Sequence, residues 1–347
     1  MEDFAAKQEQ WNLRLTACWW GLLFVLAFGI MIWVAHNKDI VIADGTAEAN
    51  YTGDSVESGT EIPIQIKAAE GTGGSFYIAF SDGMKTENVR VENRYLSKEL
   101  HLTIMGQDKN LMSNVYIEGD TVFIEQAHWN YQRGDIQICL QMDGIYEYRV
   151  SMDGSRLKIE KKFPRDLYRR LVVVDPTAIS GTWEESSVLK EIAENLGKDY
   201  TWDQIRIYNT DSEKDVLTPE QKAEFANALG ADLYIGLGFD TESLPETYGI
   251  SGMYNGAYYI PEFGNQTLAD CLTRNVAMAV SNRAIGLENT EKNELLQLLK
   301  MPAAIVRLGC LNHEKERKLV ENPLYQKKLE QGIADAIKEA DKDYESN

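Results

Sequence analysis

The feature that most limits what this chain can become is a change of sequence period at residues 163–170. Before it, apolar and polar residues alternate in short runs such as IPIQIKA, SFYIAF, LHLTIM, TVFIEQ, DIQICLQM and RLKIEKK, separated by SDGM, EGDT, MDGI and MDGS turns. A period of two places the apolar side chains of each run on one face of a strand, and the closely spaced turns leave no room for long helices. Residues 62–162 therefore read as an all-β, sandwich-like domain. After FPRDLYRR, a basic linker at 163–170 flanked by Lys162, β-branched runs alternate with helical patterns. Strands are predicted at Leu171–Val174, Gln204–Tyr208, Leu233–Leu237 and Ala303–Leu308. Helices are predicted around Val188–Leu196, at Pro219–Leu229 with Thr218 as N-cap, at Thr267–Ile285, Leu295–Leu298 and Pro323–Ala340. That alternation implies a mostly parallel sheet covered by helices, an α/β domain over residues 171–347.

The N-terminal end carries a different constraint. Leu15 to Ala35 reads LTACWWGLLFVLAFGIMIWVA without a charge, and crossing a hydrocarbon core of about 30 Å takes roughly 20 apolar helical residues. Trp19, Trp20 and Trp33 sit near its ends, as interfacial aromatics do. A cleaved signal peptide has a shorter apolar run and a small-x-small cleavage site, and neither fits here. The expectation is a single transmembrane helix at 15–35, a cytoplasmic tail at 1–14, a polar spacer at 36–61, and the folded domains on the outer side of a cell membrane. Lys7 and Arg14 against Lys38 give that orientation a slight positive-inside bias.

A net charge of −19 excludes phosphate-backbone binding as a main activity, since that requires clustered Lys and Arg. Nucleic acid is not an expected partner. Cys139, Cys271 and Cys310 are far apart with no C-x-x-C spacing, so they read as buried small hydrophobes, with one long-range disulfide as the alternative. His101 and His128 stand singly in strand-like runs and read as structural histidines.

In the α/β half, LVVVDPTAISG at 171–181, FANALGADLYIGLGFD at 225–240, NRAI at 282–285, PAAIVRLGCLNHEKE at 302–316 and NPLYQ at 322–326 occur in one order and spacing. That series resembles the zinc-dependent N-acetylmuramoyl-L-alanine amidases, hydrolases that cut between muramic acid and the peptide stem of peptidoglycan. The resemblance implies a His in the first loop, a Glu at the start of the first helix and a His in the middle motif as metal ligands, and a Glu in the last strand to manage protons. Matched position by position, these fall on Ala178, Glu185 with Glu184 beside it, Gly238 and Arg307. Zinc hydrolysis needs three protein ligands, an open position for water and a carboxylate. The resemblance therefore carries the fold over without the chemistry, and the expected cofactor set is empty.

Zinc would return only if other residues rebuilt the site. His313, after the last strand, reads as a turn cap or an exposed residue, and the acidic loop Thr210–Asp215 as solvated. Asp175, Glu184, Glu185, Asp240 and Arg307 are the candidate ligand cleft, in which Arg307 is expected to pair with Glu185 or Glu184. Tyr248, Tyr254, Tyr258 and Tyr259 are either sugar-stacking residues or ordinary cover. The leading expectation is a membrane-anchored, catalytically degenerate amidase-like protein that binds a peptidoglycan stem peptide or an envelope protein. The alternatives are an active amidase with displaced ligands and an envelope assembly scaffold that makes its contacts through the β-rich domain.

Overall fold

The computed structural model describes residues 42–44, 61–67, 73–80, 86–179, 183–200, 202, 204–211, 217–244, 246–257 and 263–346, with backbone alone at 42–44, 86, 183–185 and 344–346. In the first half the strands are β1 (Ile42–Asp44), β2 (Ile62–Pro63), β3 (Gln65–Ile66), β4 (Ser75–Ala79), β5 (Val89–Arg94), β6 (Glu99–Ile104), β7 (Tyr116–Gly119), β8 (Ile124–Gln132), β9 (Asp135–Met142), β10 (Glu147–Asp153) and β11 (Arg156–Lys162). They form two sheets, ordered β1-β5-β6-β9-β8-β2 and β10-β11-β4-β7-β3. Period-two alternation explains the packing. Leu100, Leu102 and Ile104 of β6 and Ile136, Ile138 and Leu140 of β9 face a common core with Phe76, Ile78, Leu157 and Ile159 from the other sheet. Each of these side chains, fully removed from water, contributes about 1.5–3 kcal/mol before entropy is counted. Glu99, His101 and Thr103 take the opposite, outer face of β6.

The second half contains α1 (Pro164–Leu167), β12 (Arg170–Asp175), α2 (Trp183–Asp199), β13 (Ile205–Asn209), α3 (Pro219–Leu229), β14 (Leu233–Asp240), β15 (Ile250–Tyr254), α4 (Asn265–Ala279), β16 (Ala284–Asn289), α5 (Glu294–Leu298), β17 (Ala303–Cys310), α6 (Glu314–Val320) and α7 (Pro323–Ser346). One sheet runs β13-β12-β14-β17-β15-β16. Its first four strands are parallel, while β15 is antiparallel to β17 and parallel to β16. Helices α2, α4 and α7 cover one face through Leu189, Ile192, Leu196, Leu272, Val276, Ile333 and Ile337. The other face packs on α3 and α5 through Phe225, Ala226, Leu229, Leu295 and Leu296. Local chemistry sets the limits of α3: Thr218 and Gln221 form a reciprocal capping box, Pro219 takes the first turn, and Gly230 closes the helix in a left-handed conformation at φ 68°.

The two halves share this second core. Tyr95, from the β-rich half, stands edge-on to Tyr208 at 5.1 Å and stacks on Phe225 at 5.7 Å between ring centroids. Its hydroxyl donates to the Asn209 carbonyl and accepts from the Asn209 N–H, both at 3.0 Å. Glu147 accepts from Arg206 Nε at 3.0 Å and from the Tyr208 hydroxyl at 2.6 Å, so the contact has an apolar centre with a charged margin.

The predicted transmembrane helix at 15–35, with the tail at 1–14 and most of the spacer, lies outside the described residues. Among the described residues no helix is long and apolar enough to cross a membrane. The longest, α7, has 24 residues, but it carries Lys327, Lys328, Glu330, Lys338, Glu339 and Asp343 and buries one face only against the sheet. The membrane-anchored description is corrected accordingly. Single-pass topology, the bilayer as a partner and placement of the two ends on opposite sides of a membrane rested on the apolar run and the residues flanking it, which lie outside the described residues, and no described element supports them.

Three smaller expectations also change. The helix predicted at Thr267–Ile285 is α4 and stops at Ala279. Ser281 then takes a positive φ of 54°, and the chain continues as edge strand β16. Strand β15 was not predicted because ISGMY is a poor strand former. Its Gly252 is required by close packing, as a Cβ there would lie 2.6 Å from Thr273 Oγ1 and 2.9 Å from Leu287 Cδ2. The linker at 163–170 includes the short helix α1.

Candidate functional site

The parallel strands β12, β14 and β17 bring three of the predicted cleft residues, Asp175, Asp240 and Arg307, to one end of the sheet. Asp175 ends β12, and its carboxylate is wholly buried. Oδ1 accepts from the Thr177 N–H at 2.9 Å, the Thr177 hydroxyl at 3.0 Å and the Thr210 hydroxyl at 2.9 Å. Oδ2 accepts from Lys222 Nζ at 3.1 Å and the Tyr234 hydroxyl at 2.8 Å. Lys222, on α3, also donates to the Thr177 carbonyl at 2.8 Å and hydroxyl at 2.7 Å. Burial, reinforced by the Asp175 charge, pushes the Tyr234 phenol well above its ordinary value, so it stays protonated as a donor. With five donors around it, Asp175 ties the first loop to α3 and β14 and has no oxygen turned toward a ligand.

That loop then lies across β14. Tyr234, Gly236 and Gly238 are alternate residues on one face of the strand, and the missing side chains of the two glycines make room for the loop. A Cβ on Gly236 would meet Ala178 Cβ at 2.6 Å and Ile305 Cγ1 at 2.7 Å. A Cβ on Gly238 would meet Ile179 Cδ1 at 2.5 Å. Ala178 and Ile179 are partly buried against the core that β14 shares with α3. The position at which an imidazole would leave Gly238 is therefore filled by a branched alkyl side chain.

Beside Gly238 in register lies Arg307 of β17, and beside Arg307 lies Ser251 of β15. The guanidinium reaches across β15 to the edge strand, where Nη1 is 2.8 Å from Glu288 Oε2. The Arg307 side chain is 20% exposed and that of Glu288 54%. The side chains of Glu184 and Glu185, the partners suggested by the sequence, lie outside the described residues. Asp240, two residues beyond Gly238, accepts the N–H groups of Glu242 at 3.0 Å and Ser243 at 2.9 Å. Burial alone would raise its carboxyl, but hydrogen bonds from Ser243 and Glu242 and the Arg307 charge hold it below its ordinary value.

Around this end, the Tyr248 ring stacks on His313 at 4.2 Å and meets the Arg283 guanidinium at 3.9 Å. His313 is the N-cap of α6, with Nδ1 accepting from the Glu316 N–H at 3.3 Å. Tyr254 packs against the sheet core, while Tyr258 and Tyr259 lie outside the described residues. In the acidic loop, Thr210 serves Asp175 and Asp211 pairs with Lys190 at 2.7 Å, and residues 212–216 lie outside the described residues. Cys139, Cys271 and Cys310 are buried free thiols, and burial pushes the Cys271 thiol up to about 12.

Sequence reasoning missed Lys222, Tyr234, Ile179 and Glu288. One signal was present for Lys222: it occupies the apolar face of PEQKAEFANAL together with Ala223, Ala226 and Leu229, where a lysine implies a buried acceptor.

Residues 173–339 match the family described as N-acetylmuramoyl-L-alanine amidase. The C-terminal region of the chain belongs to that family. Similar solved structures include the N-acetylmuramoyl-L-alanine amidase from Clostridium difficile 630, at 19% identity over 49% of this chain and 95% of that one, with a TM-score of 0.43. The catalytic domain of the amidase CwlV from Bacillus (Paenibacillus) polymyxa var. colistinus matches at 17% identity over 49% and 97%, with a TM-score of 0.41. The amidase AmiC2 of Nostoc punctiforme matches at 15% identity over 52% and 98%, with a TM-score of 0.44. No curated protein matches the chain.

The zinc implied by the family does not fit the described residues. Ala178 and Gly238 offer no ligand atom, Ile179 occupies the space in front of Gly238, and Arg307, which the resemblance aligns with the proton-managing carboxylate, is a fixed cation. Among the described residues, the one group of three His, Cys, Asp or Glu side chains with converging ligand atoms is Glu99, His101 and Cys139, outside residues 173–339.

Proposed function

We propose that this chain is a catalytically degenerate amidase-family protein that takes part in a peptidoglycan-related process by binding rather than cutting. The observation that carries this reading is the packing of Ile179 over Gly238 beside Arg307. It exchanges a site that would activate water for an apolar floor with a guanidinium at its edge. The ligand it suits is a carboxylate, as found on peptidoglycan stem peptides, which a guanidinium can hold through two parallel hydrogen bonds. Glu288 is more than half exposed, so the Arg307–Glu288 pair is worth little and can be exchanged for a ligand carboxylate. A β-rich domain at 62–162, a linker at 163–170 and an amidase-like domain at 171–347 are the domain division adopted with this reading.

Purified sacculi incubated with the full chain and added zinc test it. The expected outcome is no release of stem peptides, co-sedimentation of the chain, and weaker co-sedimentation of Arg307→Glu. Release of free stem peptides overturns the reading. Absence of both cleavage and sedimentation overturns the peptidoglycan ligand.

A further inference from the structure

The outer face of the β1-β5-β6-β9-β8-β2 sheet holds a row of polar side chains in register: Glu92 on β5, His101 on β6, Cys139 on β9 and His128 on β8. Glu99 stands two residues before His101 on the same face of β6. His101 Nε2 lies 2.9 Å from Glu99 Oε2 and 3.4 Å from Cys139 Sγ, and the three ligand atoms all lie within 4.8 Å of one another.

Both contacts are made by the same ring nitrogen. In an acid-base relay to a cysteine nucleophile, the acid would hold one imidazole nitrogen and the thiol the other. Here a carboxylate oxygen, an imidazole nitrogen and a sulfur converge on one point, and the single proton that Nε2 can carry serves one of its two neighbours at a time. A cation at that point would engage all three lone pairs together. Tetrahedral zinc bonds of about 2.0–2.3 Å space donor atoms roughly 3.3–3.7 Å apart. The Nε2–Sγ separation of 3.4 Å already falls in that range, and the Nε2–Oε2 separation needs a small opening.

We propose that Glu99, His101 and Cys139 form a binding site for one divalent transition metal of the zinc class, with three protein ligands and one position left to solvent. The mixed sulfur, nitrogen and oxygen donor set selects zinc over magnesium and calcium, which take oxygen ligands. The ligands stand on paired strands, and Cys139 is 8% exposed. The Glu99 and His101 side chains, 23% and 26% exposed, leave an approach from solvent. Support behind the ligands is in place as well. Ser97 Oγ donates to Glu99 Oε2 at 3.1 Å, and Gln141 Nε2 donates to the Ser97 carbonyl at 3.0 Å. His128 faces Glu61 at 3.6 Å and stands outside the cluster. Metal binding would displace the proton between Glu99 and His101 and the thiol proton of Cys139, and would cross-link β6 to β9.

This inference does not rest on the reading of the amidase-like cleft. The full chain, stripped of metal with a chelator, is titrated with Co²⁺ and then with Zn²⁺. One Co²⁺ per chain with a thiolate-to-cobalt charge-transfer absorption is expected, displaced by Zn²⁺, along with a rise in melting temperature for either ion. Cys139→Ser should abolish the absorption, and Glu99→Gln should weaken binding by at least roughly tenfold. Cys139→Ser should melt as the wild type does without metal, which separates ligand loss from misfolding. Absence of a charge-transfer absorption overturns the proposal, as does an unchanged absorption in Cys139→Ser.

Discussion

Lys222 Nζ lies 3.1 Å from Asp175 Oδ2 in a pair whose side chains are 5% and 0% exposed. Such a pair is costly to assemble and more costly to break from one side, because the remaining charge has no water to turn to. Lys222→Met is expected to destabilise the chain by about 3–5 kcal/mol. Urea unfolding checks this through a lower midpoint at an unchanged slope. Arg307→Gln, which opens a half-exposed pair, should stay within about 1 kcal/mol of the wild type. Equal losses in the two variants would show that the Asp175 network does not anchor the first loop.

Restoring an imidazole to β14 should fail by itself. Gly238→His drives a side chain into Ile179, whose Cδ1, Cβ and Cγ1 all lie within 2.8 Å of the added Cβ. Overpacking of this kind costs about 1–3 kcal/mol. Gly238→His/Ile179→Ala should recover most of the lost melting temperature. A Gly238→His variant as stable as the wild type would mean that the loop moves aside freely, which would reopen the case for an active site.

Asp240 gives the chain an acid-sensitive contribution. Its carboxyl titrates lower in the folded chain than in an unfolded one, since native hydrogen bonds and Arg307 favour the ionised form. The contribution is complete above the unfolded carboxyl value of about 3.9 and is lost as pH falls through the folded value. Melting temperature followed from about pH 4.5 downward through the folded value should therefore fall less steeply in Asp240→Asn. Arg307→Gln should move the Asp240 titration upward, as read by carboxyl-carbon NMR.

The contact between the halves should be measurable at one hydroxyl. Tyr95→Phe keeps the ring packing on Tyr208 and Phe225 but removes both hydrogen bonds to Asn209, leaving a buried N–H and C=O unpaired. A cost of about 1–3 kcal/mol follows. Calorimetry should show a single transition in the wild type. Two separated transitions in the wild type would contradict an energetically important junction.

What could be read from the sequence depended on whether a local pattern carried the information. Helix α3 was legible to the residue because Thr218, Pro219 and Gly230 state its ends chemically. The buried parallel strands β12, β14 and β17 announced themselves as apolar runs. Strands β15 and β16 did not, since one contains a glycine demanded by the neighbouring helix and the other is an exposed edge. The resemblance supplied aligned positions, Ala178, Gly238 and Arg307, but nothing of how they pack. That Ile179 covers Gly238, that Arg307 reaches Glu288 across an intervening strand, and that Asp175 is enclosed by Lys222 and Tyr234 are relations between distant segments. Likewise, His101 and Cys139 stand singly in the sequence and become neighbours only through the register of β6 and β9.

The Tyr95 junction also bears on how the chain is made. Its partner Asn209 lies 114 residues further along. The last strand of the sandwich ends at Lys162, and at ordinary rates of synthesis the stretch from there to Asn209 takes on the order of a few seconds. During that interval a completed β-sandwich would present Tyr95 and Ile145 with nothing yet made to cover them. The newborn N-terminal half thus passes through a stage at which an aromatic contact stands open on the ribosome, and the C-terminal half acts as its late-arriving cover.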